Sequence, residues 1–75
     1  MFLPEKIKEA REKAEFSQEK LMVALSNSGL SISRATISSW ENGETKPNAE
    51  ELATLAEFFE LPITYFFTLK HSRAS

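Results

Sequence analysis

Cysteine and aspartate are both absent from the 75 residues, and histidine occurs once, as His71. Without thiols the chain can form neither a disulfide framework nor a thiolate metal site, so a hydrophobic core must hold it together alone, as suits a reducing compartment. A serine nucleophile needs a base within hydrogen-bond reach, and the one imidazole lies in a polar C-terminal stretch. Metal-ligand spacing is missing, because the glutamates follow helix-surface spacing without converging. Glycine occurs only at Gly29 and Gly43, which leaves no loop to cradle a phosphate. An enzyme is therefore not expected, nor a cofactor or a metal. No apolar run approaches the ~18 residues of a membrane span, and Met1-Phe2-Leu3-Pro4-Glu5-Lys6 lacks a signal-peptide pattern. The expectation is a cytoplasmic protein without membrane contact.

Charge of one sign is also scarce, but only locally. The formal net charge of -2 and a pI near 5.4 argue against nucleic-acid binding driven by bulk charge. The distribution says more: nothing acidic lies between Glu19 and Glu41, while Lys20, Arg34 and Lys46 lie in or beside that gap. Residues 48 to 61 hold Glu50, Glu51, Glu57 and Glu60 with no basic residue, so the acidity is concentrated away from the middle of the chain.

A chain of this length makes one domain, near the lower limit for a core without staples. We place it at residues 1–69, followed by a flexible polar tail over 70–75. Pro4 suits the first turn of a helix and Glu5 its positive end. Leu3, Ile7, Ala10 and Ala14 then recur at helical spacing, with Arg11 inside the same apolar stripe. A guanidinium there either snorkels out to solvent along its stem or requires a carboxylate partner from the inward side of the fold, for which Glu41 is the candidate. Ser17 marks a second helix start, with Leu21, Met22 and Leu25 on its apolar side and Gly29 as the natural end. Asn48 with Glu51 three positions on has the form of a capping box, and Leu52, Leu55, Ala56 and Phe59 form the stripe of a core helix. Leu61-Pro62-Ile63 breaks that helix, and Thr64 to Leu69 gives a short final one with more aromatic surface than a small core can absorb. A contiguous apolar patch of this kind marks an interface, which we place at Phe58, Pro62, Ile63 and Phe67.

Between the second helix and the capping box lies the most informative stretch, Ser33-Arg34-Ala35-Thr36-Ile37-Ser38-Ser39-Trp40-Glu41-Asn42-Gly43. Ser33 can cap the first turn and Gly43 can stop the last. At 100° per residue, Ile37, Trp40 and Glu41 share one side, and Arg34, Ala35, Ser38 and Ser39 the other. The second face offers two hydroxyls, a methyl and one guanidinium, so it can approach another surface closely.

Gln18 and Leu21, the run from Ile32 to Gly43, and Pro47 ahead of a leucine-rich helix together resemble the phage-repressor-like helix-turn-helix family of the Cro and repressor, or XRE, type. The similarity covers roughly residues 5 to 68. It implies an all-α, compact five-helix domain of the lambda-repressor-like fold, whose third helix enters the DNA major groove. It also implies an ion pair between Arg11 and Glu41, which the stripe argument requires independently. Base contacts would fall on Arg34, Ala35, Ser38 and Ser39, with Ser33 at the helix start, and phosphate contacts on Gln18, Thr45 and Lys46. The implied function is a sequence-specific double-stranded DNA-binding transcriptional regulator, a repressor acting as a homodimer on a palindromic operator. Two other readings share the fold: the antitoxin half of a toxin pair, and a helical protein-interaction module that does not bind DNA. The chain departs from the family in two places. The interval from Leu25 to Thr36 exceeds the usual tight turn, so either the second helix is extended or the turn is looped, and Met22 stands where a small residue is usual.

Overall fold

The computed structural model describes residues 1–68. Four α-helices and one 3-10 turn follow in order: α1 (Pro4–Lys13), α2 (Gln18–Asn27), α3 (Arg34–Asn42), α4 (Ala49–Phe59) and the 3-10 turn Ile63–Phe66. Each α-helix after the first begins at a side-chain cap. Ser17 Oγ accepts from the Lys20 amide at 3.0 Å and Ser33 Oγ from the Thr36 amide at 3.1 Å. At α4 the Asn48 side chain accepts from the Glu51 amide at 2.7 Å, while Glu51 accepts from the Asn48 amide at 2.9 Å. These bonds satisfy amides that a helix start leaves without partners. Helix α1 instead begins with Pro4, which has no amide to satisfy.

Each helix contributes the apolar stripe expected of it. Ile7 from α1, Leu21 and Leu25 from α2, Ile37 from α3 and Leu55 from α4 have no solvent exposure, and Phe66 of the 3-10 turn closes the core beneath them. Trp40 is 2 % exposed. One member of the α1 stripe is misplaced: Ala14 is exposed, because α1 ends at Lys13 and the chain turns away through Glu15, at φ 62°. The Phe16 amide then bonds back to the Arg11 carbonyl at 3.1 Å, which brings the chain round to α2.

The interval between α2 and α3 is looped rather than helical. Helix α2 stops at Asn27, Gly29 takes φ 96°, and the Leu30 amide returns to the Leu25 carbonyl at 2.9 Å. Leu30 and Ile32 are half-buried and pack on the core, and Met22 packs there too, so the loop is pinned by apolar contacts although it is long. At the far end of α3, Gly43 at φ 80° lies against Pro4, whose Cγ is 3.4 Å from the position a Cβ would take. The end of α3 thereby rests on the beginning of α1.

The expected fifth α-helix is replaced by the 3-10 turn. Pro62 precedes it, β-branched Ile63 and Thr64 open it, and Phe67 is already extended at φ -125°, ψ 155°. The β-branched residues have lowered helix propensity and do not favour propagation of an α-helix. The backbone instead pairs with the start of the chain. Phe2 and Phe67 form an antiparallel bridge, with the Leu3 amide bonded to the Phe66 carbonyl at 2.8 Å and the Thr68 amide to the Met1 carbonyl at 2.9 Å. Leu69, the tail assigned to 70–75 and His71 lie outside the described residues.

Candidate nucleic-acid interface

Recognition by a helix needs one face exposed and the other held still. Ile37 and Trp40 bury the inner side of α3, and Glu41 continues it with a side chain 3 % exposed. Arg11 lies opposite, itself buried within the α1 stripe. Its Nε donates to Glu41 Oε2 at 2.7 Å and its Nη2 to Glu41 Oε1 at 3.1 Å, a two-pronged contact between α1 and α3. The third nitrogen, Nη1, donates to the Phe16 carbonyl at 2.8 Å. Glu41 Oε1 also accepts from Gln18 Nε2 at 3.0 Å. One buried carboxylate therefore joins the end of α3 to the first residue of α2 and to α1. The hydrogen bonds that Arg11 donates to Glu41 hold its guanidinium above its ordinary pKa, against the opposing effect of burial.

The outward face carries the residues placed there by the helical count. Arg34 and Ala35 are exposed, and Ser38 and Ser39 are half-buried. Arg34 is the first residue of α3 and, among the described residues, takes part in none of the ion pairs. Its guanidinium therefore has all its donors available at the first turn of α3. Thr45 and Lys46 are exposed in the loop that follows, ahead of buried Pro47.

Two assigned residues have structural duties that the spacing does not reveal. Ser33 Oγ, besides capping α3, is 3.0 Å from Thr36 Oγ1, so this hydroxyl is engaged twice within the chain. Gln18, assigned to a phosphate, has turned its side-chain amide inward onto Glu41, while its place at the first position of α2 remains at the surface edge of the network. A further residue was missed altogether. Glu44 Oε1 accepts from Ser39 Oγ at 3.3 Å, which brings a carboxylate beside the outward face. The only sequence signal was its position one residue beyond the glycine stop.

The residues assigned to an interface divide into two kinds. Pro62 and Ile63 are exposed, Ile63 by 42 %. Phe58 and Phe67 are half-buried and spend part of their surface within the chain: Phe58 lies against Phe16 and Phe59, with ring centroids 5.9 and 5.1 Å apart, and Phe67 meets Phe2 edge to face at 6.0 Å. Much of the aromatic excess is thus absorbed by pairing rings at the periphery of the core. Among the described residues no helix is long and apolar enough to cross a membrane.

No curated protein and no solved structure is significantly similar to the chain. A family model described as "Helix-turn-helix domain" matches residues 5–72, almost the whole length, and such a domain suggests a DNA-binding regulator. That match, covering nearly all of a chain whose α1 and α3 are joined by the Arg11–Glu41 pair, places it in the helix-turn-helix family of the Cro and repressor type.

Proposed function

We propose that the protein is a sequence-specific transcriptional regulator that binds double-stranded DNA in the cytoplasm and represses from a palindromic operator as a homodimer. The observation that carries this reading is the combination of an α3 face whose own residues, Arg34, Ala35, Ser38 and Ser39, are small apart from one guanidinium, with a buried Arg11–Glu41 contact that fixes the helix behind it. Held this way, α3 can enter the major groove by its N-terminal end. Arg34 then reaches a guanine edge, where one guanidinium bonds O6 and N7 together. Lys46, in the loop beyond, meets phosphate and sets register without reading sequence.

A twofold pair of such domains would read half-sites about 34 Å apart. Exposed Ile63 and Pro62, with the edges of Phe58 and Phe67, supply the apolar surface for that pairing. Selection of binding sites from random DNA, followed by titration at several salt concentrations, tests the reading. The expected result is a palindromic site whose affinity falls with salt, because bound phosphates release counterions. Absence of salt-dependent binding would turn the fold over to a protein-interaction role, and a second small protein that co-purifies in fixed ratio would point to an antitoxin. Sedimentation at a single-copy mass, both free and on DNA, would refute the homodimer.

A further inference from the structure

We propose that Glu44 is a sequence-reading residue that accepts a hydrogen bond from the N4 amino group of a cytosine in the major groove. The inference rests on the DNA-binding reading above and deepens it. It begins from the position of the carboxylate. Glu44 is exposed, and among the described residues the ion pairs join Lys6 with Glu9, Lys13 with Glu9 and Arg11 with Glu41, leaving Glu44 with no cationic partner. It follows the C-terminus of α3, the negative end of the helix dipole, so its charge gains nothing from the fold.

Its placement is nevertheless fixed at two points. The Glu44 amide donates to the Ser39 carbonyl at 2.9 Å, and the Ser39 hydroxyl donates to the Glu44 carboxylate at 3.3 Å. With Gly43 at φ 80° turning the chain between them, the side chain is folded back toward the outward face of α3. Ser39 is too short to reach far into a groove. Glu44, resting against it, extends that position with a longer acceptor.

A carboxylate brought to DNA meets phosphate oxygens that only accept, and it is repelled by them. The major groove offers base amino donors, and cytosine N4 is the one that a carboxylate matches. Arg34 and Ser39, against which the Glu44 carboxylate rests, lie five residues apart on α3, ~7.5 Å at helical rise, so the donor and the acceptor address different base pairs. The outward surface then carries a strong donor at one end and a strong acceptor at the other, with small residues between. The carboxylate also disfavours DNA that has no donor to offer it, which sharpens discrimination in a protein that is acidic overall.

The test is site selection from random DNA by the parent, Glu44→Gln and Glu44→Ala, with melting curves to establish that all three fold. Glutamine suits adenine by pairing with N6 and N7, so Glu44→Gln should exchange cytosine for adenine at one position of each half-site. Glu44→Ala should lose the preference at that position and bind the parent's site about five- to tenfold more weakly. If both variants select the parent's sequence unchanged and bind every DNA more tightly, Glu44 is only a repulsive charge and the assignment is wrong. If the parent selects no sequence at all, the DNA-recognition function itself fails, and the role of Glu44 with it.

Discussion

Removing one member of the Arg11–Glu41 contact should be the most damaging polar substitution in the chain. Arg11→Ala leaves a carboxylate 3 % exposed with only the Gln18 amide to bond it. Glu41→Ala leaves a guanidinium 10 % exposed that still donates to the Phe16 carbonyl. Breaking a buried pair from one side costs about 3 to 5 kcal/mol. Slight exposure of Arg11 and its remaining carbonyl bond put Glu41→Ala near the lower figure, with Arg11→Ala the more severe. A domain of this size has about 4 to 11 kcal/mol of total stability, so either change removes much of it. Urea unfolding followed by the fluorescence of Trp40, the single tryptophan and nearly buried, reports the loss directly. At about 1 to 3 kcal/mol per molar urea, a 3 kcal/mol loss lowers the midpoint by about 1 to 3 M. The double variant Arg11→Met with Glu41→Leu removes both charges and replaces them with apolar volume, and it should recover most of the loss. Single variants within about 0.5 kcal/mol of the parent, or a double variant whose loss equals the sum of the two, would refute the claim that the pair is coupled and desolvated.

Three further outcomes are expected. Arg34→Ala should weaken binding to the selected site by about 1 to 3 kcal/mol and relax one position of each half-site, whereas Lys46→Ala should weaken all sequences alike and flatten the salt slope by about one unit; equal loss on cognate and scrambled DNA for Arg34→Ala would make it a phosphate clamp. Glu60 ends α4 in the left-handed region at φ 58° and is exposed, so Glu60→Gly should relieve strain and stabilise the fold by about 0.5 to 1 kcal/mol, read as a rise of a few degrees in Tm; an unchanged or lower Tm would show that the residue is not strained. Hydrogen bonds from Lys6 and Lys13 hold the Glu9 carboxyl below its usual 4.5, so its folded pKa lies under its unfolded one and the stabilisation is present above pH 4.5 and lost as pH falls through the lowered value. Glu9→Gln should therefore flatten the acid limb of the Tm profile slightly, more at low salt than at high, and identical profiles would show that this exposed triad contributes nothing.

The helix starts were legible because each is carried by a short-range chemical signal. Ser17, Ser33 and Asn48 cap through bonds that span three residues, and such bonds depend on little else. The partner of Arg11 was legible for a different reason: a charge in an apolar stripe has few places to go, and Glu41 was the carboxylate on an inward face. Where the fold depended on backbone pairing between segments distant in sequence, the reading failed. Nothing near Thr64 to Phe67 announces that Phe2 will take Phe67 into an extended pair in preference to another helical turn. The left-handed residues Glu15 and Glu60 carry no glycine to mark them. Within the candidate site, the outward face of α3 followed from periodicity alone. The inward turn of Gln18 and the approach of Glu44 to Ser39 depend on side-chain rotamers, which spacing does not encode.

The bridge between Phe2 and Phe67 has a consequence for the order of folding. It joins segments from opposite ends of the described chain, and its two flanking hydrogen bonds, Leu3 to Phe66 and Thr68 to Met1, can form only after α1 and the 3-10 turn have docked. Closing so long a loop early would cost chain entropy before any packing offset it. The bridge should therefore be absent from the folding transition state and act instead as a latch on the finished domain. Phe2→Ala and Phe67→Ala would then accelerate unfolding and leave the folding rate nearly unchanged. In that case the lifetime of the folded domain, and with it the durability of any surface presented by α3, is governed by residues at the two ends of the described chain.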